Sequence, residues 1–170
     1  MTYRCWLCRI FLAIILLSAN IYAWRHVGVR VVVNLTPSLP YGVYLVTTYH
    51  PLTPGTLILF DPPPDIAYLA TFRQYVSPGT PFLKPVGANS GDVICAIDHT
   101  LSINGVNLAS IRDMDTEQRP LPFWQGCLTL DTDHVFPLST MHSHSLDGRY
   151  FGAIPVTSVH GIAQPLLTWH

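Results

Sequence analysis

The stretch VGVRVVV at residues 27–33 marks a change in the hydrophobic pattern of this chain of 170 residues. Its valines are β-branched, and such side chains are enriched in strands. The preceding residues 10–24, IFLAIILLSANIYAW, carry no charge and form one continuous apolar run. The residues that follow alternate short apolar runs with turn-forming residues, which is typical of β structure. The sequence therefore predicts an all-β body preceded by one N-terminal helix.

Proline and glycine divide the body into short predicted strands. Residues 51–55 and 61–64, the latter reading DPPP, exclude a helix or a central strand at those points. Asn104-Gly105 predicts a hairpin, because both residues tolerate positive φ. Residues 66–75 are predicted as a short helix or an irregular excursion, and residues 112–122 as a polar surface loop. The predicted strands are 27–33, 41–48, 56–60, 81–86, 92–98, 101–103, 135–138, 152–156 and 158–163.

The N-terminal apolar run predicts that the rest of the chain is exported. At about 15 residues it is shorter than the roughly 20 that span a bilayer, and close to the hydrophobic region of a signal peptide. An uncleaved anchor, a cleaved signal peptide and a buried core helix remain open as interpretations. We predict residues 1–25 as a membrane anchor or signal segment in contact with the lipid bilayer, and residues 26–170 as one exported domain.

The charge balance excludes one large class of function. Only 11% of residues are charged and the formal net charge is -1, so the chain has no basic field to attract a polyanion. We therefore expect no nucleic-acid partner. Eight of the nine basic residues are arginines, and the single lysine is Lys84. In an exported body, Cys95 and Cys127 can form a disulfide, with two buried free thiols as the alternative.

The first of three stretches that could carry chemistry is residues 34–44, NLTPSLPYGVY. Ser38 lies between Pro37 and Pro40, just before a predicted strand. Prolines on both sides restrict the backbone, which would present a nucleophilic hydroxyl in a fixed position. The same pattern is also that of an ordinary turn at the start of a strand.

The second stretch is residues 82–92, FLKPVGANSGD, in which Lys84 has apolar neighbours. Such a lysine either lies at a strand edge with its amine in water, or is buried and shifted towards the neutral form. A general base near neutral pH needs the buried case, with a pKa roughly three units below the usual value of ~10.4. Asp92 is expected only to cap the turn that follows.

The third stretch is residues 142–152, HSHSLDGRYFG. On an extended strand, Ser145, Asp147 and Arg149 would share one face, with Asp147 and Arg149 as a supporting ion pair. A surface turn with a solvated ion pair is one alternative. A zinc site of His142 and His144 with Asp147 is another, because two histidines and a carboxylate can hold that metal.

Together, and in this order after an apolar segment, the three stretches resemble the motifs of membrane-bound serine peptidases of the signal peptidase I type, peptidase S26. NLTPSLPYGVYLV is similar to the nucleophile motif, KPVGANSGD to the lysine motif and SLDGRYFGAIP to the terminal motif. The resemblance is closest to the conjugal transfer peptidase (TraF) branch. One position departs from the family pattern, since Gly148 stands where the family has serine. The resemblance implies a compact signal-peptidase-like β domain.

The resemblance also implies the role of each reactive side chain. Ser38 would be the nucleophile and Lys84 the general base that takes its proton, a Ser-Lys dyad in place of Ser-His-Asp. Ser145 would orient the amine of Lys84. The backbone N–H of Ser38 and the hydroxyl of Thr36 would stabilise the oxyanion.

Two further positions follow from the terminal motif. Asp147 is placed with the catalytic group, and Arg149 is expected to brace the site beside it. No metal and no cofactor are expected, because the dyad chemistry requires neither.

The function that the resemblance implies is cleavage of a preprotein beside the membrane. The TraF branch suggests a pilin precursor of a conjugative or type IV secretion system as substrate, and a bacterial inner-membrane location with the catalytic domain on the periplasmic side. Hydrolysis and cyclisation of the product both remain open. The alternatives are a general signal peptidase I, a non-catalytic β-domain that scaffolds a secretion apparatus, and a metal-binding module built on His142 and His144.

Overall fold

The computed structural model describes residues 29–48 and 51–169, together with positions 6, 9–11, 13–15 and 18. The described positions between 6 and 18 are helical. Most of the predicted anchor 1–25 lies outside the described residues, as do residues 27 and 28 of the first predicted strand. The chain divides into two compact units, Met1–Arg30 and Val31–His170.

No described helix has the length and apolar character needed to cross a membrane.

The larger unit is mostly β structure, as the sequence predicts. Its helical elements are one helix at Pro64–Phe72, a single turn at Gly148–Phe151 and a 3-10 turn at Val156–Ser158. The strands are β1 Arg30–Asn34, β2 Tyr41–Thr47, β3 Leu57–Phe60, β4 Phe82–Ala88, β5 Val93–Ile97, β6 Thr100–Ile103, β7 Val106–Ser110, β8 Gly126–Thr129, β9 His134–Pro137, β10 Ile154–Pro155 and β11 Val159–Trp169.

The strands form two sheets. The seven-stranded sheet has the order β1-β2-β11-β3-β4-β9-β10, and the four-stranded sheet has the order β7-β6-β5-β8. β11 pairs antiparallel with β2 on one side and with β3 on the other. It therefore joins the sheet edge that carries β1 and β2 to the half that carries β3 and β4.

The four-stranded sheet confirms the predicted hairpin. Asn104 and Gly105 connect β6 to β7 with φ values of 51° and 78°, which is the backbone conformation that an Asn-Gly turn favours. Cys95 of β5 lies directly opposite Cys127 of β8, and the two are joined by a disulfide. The disulfide alternative is therefore the one that the structure contains.

Of the two alternatives predicted for residues 66–75, the structure contains the helix, which spans Pro64–Phe72. Pro64 lies at the start of the helix, where its missing N–H breaks no helical hydrogen bond, and Asp65 is in the first turn. Ile66 and Ala70 of this helix are buried. They pack in one apolar cluster with Phe60 of β3 and Phe82 of β4, which fixes the helix beside these strands.

Ser145, Asp147 and Arg149 do not lie on the extended strand that would place their side chains on one face. Ser145 ends a turn, in which its backbone N–H donates to the carbonyl of His142 at 3.1 Å. Asp147 caps the single helical turn Gly148–Phe151 by accepting a hydrogen bond from the backbone N–H of Arg149. Aspartate at this position satisfies an N–H that the helix leaves unpaired, and this local bond competes with extended structure. Alternation along a strand therefore does not explain how these three side chains are arranged.

Candidate active site

Ser38 lies on the turn between β1 and β2, and Asn34 at the end of β1 holds this turn together. The side-chain amide of Asn34 lies 3.0 to 3.2 Å from the backbone carbonyls of Thr36, Leu39 and Pro40, to which it donates. Its carbonyl oxygen accepts from the backbone N–H of Thr36 at 3.2 Å. One buried amide thus fixes the backbone on both sides of Ser38, a role that the sequence analysis did not assign to Asn34.

The hydroxyls of Thr36 and Ser38 are adjacent. Their oxygens are 3.3 Å apart, and Thr36 Oγ1 is also 2.8 Å from the side-chain carbonyl of Asn34. The carbonyl of Asn34 can only accept, so the single proton of Thr36 is donated to it. The proton of Ser38 therefore points towards Thr36 in the contact between the two hydroxyls.

Lys84 is buried on β4, opposite Ile58 of β3, and its side chain is directed to a polar partner. Its Nζ donates a 2.9 Å hydrogen bond to the hydroxyl of Ser145. Burial lowers the pKa of Lys84 to about 8, the charge of Asp147 acts in the opposite direction, and that of Arg149 lowers the pKa further. The structure thus contains the buried alternative, not a lysine with its amine in water.

Asp147 and Arg149 form an ion pair that is shielded from solvent. Their side chains are 0% and 2% exposed, and Arg149 Nη2 and Nε lie 2.9 Å from the two carboxylate oxygens. Nη2 also donates to the backbone carbonyl of Ser139 at 3.0 Å, with longer contacts to those of His142 and Ser145. The guanidinium therefore holds the loop that carries Ser145.

Ser139 connects this ion pair to the turn of Ser38. Its backbone N–H donates to Asp147 Oδ2 at 3.0 Å, and its hydroxyl donates to the backbone carbonyl of Ser38 at 2.8 Å. Ser139 is fully buried. Sequence reasoning missed this residue, because it lies before the terminal motif and nothing in its neighbourhood distinguishes it from a loop serine.

Four of the predicted site residues meet at one cavity. Thr36, Ser38, Lys84 and Ser145 all line a cavity of about 640 Å³ in the larger unit. Three different parts of the chain contribute these side chains: the turn after β1, strand β4 and the loop before the helical turn. Asp147 and Arg149 lie behind this surface and do not line the cavity.

His142 and His144 also line the cavity, with ring centroids 5.6 Å apart. Burial, Arg112, His142 and Arg149 lower the pKa of His144. The carboxylate of Asp147, proposed as a third metal ligand, is already bound by Arg149 and Ser139. Over the described ranges, no group of three metal-binding side chains is close enough to hold an ion.

A protein-family comparison matches residues 3–169 to the model described as signal peptidase, peptidase S26. The chain belongs to the peptidase S26 family. The resemblance predicted from the three motifs is thereby confirmed, and the matched region includes each of them. In this family member, the motifs contribute side chains to a single cavity, as described above.

Relatives of this S26 protein include proteins named for plasmid transfer. It is 33% identical over 167 residues to the plasmid transfer protein TraF of Escherichia coli, an alignment that covers 92% of this chain and 90% of that protein. It is 33% identical over 147 residues to the probable conjugal transfer protein TraF of Sinorhizobium fredii (strain NBRC 101917 / NGR234), covering 81% and 77% of the two chains.

Among the solved structures, that of a signal peptidase I from Enterococcus faecalis V583 is similar to this chain. Its TM-score is 0.39 with 22% sequence identity, over 68% of this chain and 98% of that chain.

Proposed function

We propose that this S26 protein is a serine endopeptidase that cleaves a preprotein through a Ser38–Lys84 dyad. The observation that carries the proposal is the environment of Lys84: a buried amine with a pKa of about 8 lines the same cavity as Ser38. An ordinary lysine is almost wholly protonated at neutral pH, whereas a pKa of 8 leaves about one tenth of it neutral at pH 7. A neutral amine can accept the proton of a serine hydroxyl.

In the proposed reaction, the Oγ of Ser38 attacks the carbonyl carbon of the scissile peptide bond while the amine of Lys84 takes its proton. The C–N bond breaks as Lys84 returns this proton to the leaving amine, and an ester links the substrate to Ser38. Water, or an amine of the substrate, then attacks the ester. Lys84 removes a proton from this second nucleophile and passes it to the Oγ of Ser38 as the ester C–O bond breaks, which releases the carboxylic acid or the amide.

The oxyanion would be stabilised by the backbone N–H of Ser38 and the hydroxyl of Thr36. Thr36 donates to Asn34 before substrate binds, so its hydroxyl has to rotate towards the oxyanion during the reaction. Ser145 would orient the amine of Lys84 through their 2.9 Å hydrogen bond. We assign Asp147 and Arg149 positioning roles, because their charges are paired with each other behind the cavity.

The substrate that we propose is a pilin precursor of a conjugative or type IV secretion system. The names of the TraF relatives support this choice over a general secretory precursor. We further propose that the protein lies at the bacterial inner membrane, with the catalytic domain in the periplasm. The disulfide between Cys95 and Cys127 favours such an oxidising compartment. The reaction as written requires no metal or cofactor.

The test is processing of the pilin precursor from the same transfer region by the membrane-inserted protein. Ser38→Ala and Lys84→Ala are expected to abolish processing, and Lys84→Arg as well, because a guanidinium cannot give up its proton. Ser158→Ala serves as the control, since its exposed hydroxyl bonds only the carbonyl of Pro155. Normal processing by folded Ser38→Ala protein would refute the dyad, and a folded wild-type protein that does not cleave the precursor would favour a non-catalytic scaffold.

Three further measurements separate the remaining alternatives. A general signal peptidase would cleave an unrelated secretory precursor as well as the pilin precursor, whereas a transfer peptidase would prefer the pilin precursor. Hydrolysis and cyclisation differ by one water in the mass of the product. Undiminished activity after chelation would oppose a metal module built on His142 and His144.

A further inference from the structure

The polar loop between β7 and β8 is folded around a buried carboxylate. The side chain of Asp115 is 7% exposed, and its Oδ2 accepts from Arg73 Nη1 at 3.2 Å and from Arg119 Nε at 2.7 Å. The hydroxyl of Tyr75 donates to the same oxygen. Oδ1 accepts from the backbone N–H groups of Glu117 and Arg119, each at 2.9 Å. Asp115 therefore holds its own turn and also binds the segment that follows the helix Pro64–Phe72.

Arg73 fastens the loop at a second point. Its Nη2 donates a 2.7 Å hydrogen bond to the backbone carbonyl of Pro120, and Pro120 pairs with Met114 in an isolated antiparallel bridge. The guanidinium of Arg119 lies over the ring of Tyr75, 5.5 Å from its centre. Both ends of the turn are thus tied to the residues that follow the helix. We call residues 112–121 the strap.

The strap forms part of the wall of the Ser38–Lys84 cavity. Arg112, Met114, Asp115, Thr116 and Leu121 all line it, as do residues 75–77 on the segment to which the strap is fastened. Met114 is 44% exposed, so an apolar and flexible side chain is available at the cavity surface. The predicted surface loop is therefore a wall of the candidate active site.

Charge fixes the strap in place more firmly than an exposed ion pair would. Burial opposes ionisation of Asp115, but the hydrogen bonds from Tyr75 and Arg119 outweigh it and hold the pKa of the carboxyl well below its usual range. Moving the strap would separate a shielded carboxylate from the guanidinium of Arg73 and the hydroxyl of Tyr75, and leaving such a charge unpaired is costly. The ionised carboxylate therefore opposes movement of the strap at neutral pH.

We propose that the strap contacts the substrate chain through Met114, and that Asp115 is the positioning residue that sets the place of the strap in the cavity. This inference rests on the proposed function for the identity of the substrate. Met114 would contact an apolar side chain of the precursor in the cavity that Ser38 also lines. Asp115 does not take part in the chemical step, so its loss weakens substrate binding and leaves bond cleavage intact.

The test measures binding of the labelled pilin precursor to protein that carries Ser38→Ala, so that no reaction disturbs the measurement. Asp115→Asn keeps the shape of the side chain and removes its charge. We expect it to raise the Kd at least fivefold, with Met114→Ala raising it to a similar degree. Asp131→Asn is the matched control, because Asp131 also accepts from a side chain and a nearby backbone N–H but is exposed and does not line the cavity.

Amide hydrogen exchange reports separately on the fold. In Asp115→Asn, exchange should accelerate in residues 113–121 and stay unchanged in β4. With Ser38 restored, KM for the precursor should rise and kcat should stay within about threefold of the wild-type value. Precursor binding that is unchanged in both Asp115→Asn and Met114→Ala would overturn the proposal. A fivefold or larger loss of kcat in Asp115→Asn with no change in KM would overturn it as well. Failure of the dyad leaves the binding measurement valid, so the two outcomes are distinguishable.

Discussion

The hydroxyl of Ser139 donates a 2.8 Å hydrogen bond to the backbone carbonyl of Ser38, a residue 101 positions earlier in the chain. The backbone N–H of Ser139 donates in turn to Asp147. The proposed nucleophile is therefore fixed from behind by the terminal motif. The buried ion pair of Asp147 and Arg149 reaches Ser38 through this one serine.

Replacing Ser139 by alanine should lower both stability and catalysis. The change leaves the buried carbonyl of Ser38 without its donor, which costs about 1–3 kcal/mol of unfolding free energy. A small displacement of Ser38 should lower kcat by roughly 10- to 100-fold. Denaturant unfolding and precursor processing measure the two effects. Ser158→Ala removes a similar but exposed hydrogen bond and should change stability by less than about 0.5 kcal/mol. Equal behaviour of the two variants would contradict the role of Ser139.

The pH dependence of processing should follow the ionisation of Lys84. The lowered pKa predicts that kcat/KM rises with pH and reaches half of its maximum near pH 8. Because the chain has a single lysine, protein labelled with ¹³C-lysine gives one side-chain resonance to titrate. The resonance and kcat/KM should show the same midpoint. If the lysine resonance titrates near pH 10 while kcat/KM rises near pH 8, another group is the base.

Lys84→Met should inactivate the protein and stabilise it. Burial lowers the pKa of Lys84 to about 8 from 10.5, so between these values the unfolded state binds more protons and stability rises with pH. Below pH 8 Lys84 is charged while buried, and this lowers the unfolding free energy by about 3 kcal/mol, at 1.36 kcal/mol per pKa unit. Part of the gain is offset, because Ser145 loses its hydrogen-bond partner.

Unfolding free energies at pH 7 and pH 10 check this prediction. The variant should be the more stable protein at pH 7, and its advantage should shrink as the pH rises. A variant that is less stable than wild type at both values would mean that Lys84 is charged at little cost in the folded state.

Restoring the family's serine at position 148 should destabilise this protein. A Cβ built on Gly148 would lie 2.6 Å from the backbone carbonyl oxygen of Pro137 and 2.7 Å from Cζ of Phe136. Both atoms belong to packed structure, so the backbone has to shift, at a cost of about 1–3 kcal/mol. Thermal unfolding should show a lower Tm for both Gly148→Ser and Gly148→Ala. A Gly148→Ser protein as stable as wild type would show that the close packing is readily relieved.

The local parts of the fold are the ones that the sequence predicts well. The Asn-Gly hairpin between β6 and β7 follows from two residues that tolerate positive φ. The burial of Lys84 is consistent with its apolar neighbours, although the sequence left two alternatives. Alternation failed at Ser145, Asp147 and Arg149, because the side chain of Asp147 caps a helical turn that hydrophobic periodicity does not reveal.

Long-range polar contacts could not be predicted in this way. Ser139 is an ordinary loop residue until the strands place it beside Ser38, 101 positions earlier in the chain. The strap was predicted as a surface loop because it is polar, yet the carboxylate of Asp115 is buried by partners that lie about 40 positions away in the chain. Polarity alone does not distinguish a solvated loop from one folded around a buried charge.

The position of β11 has a consequence for how the protein is made. β11 follows β1 to β10 in the chain, yet it lies between β2 and β3 in the larger sheet. During synthesis, the edge of β2 and the edge of β3 that pair with β11 therefore stay unpaired until residues 159–169 have been made. A chain that is still being translated cannot complete this sheet, so the larger unit reaches its final structure only after β11 has been made.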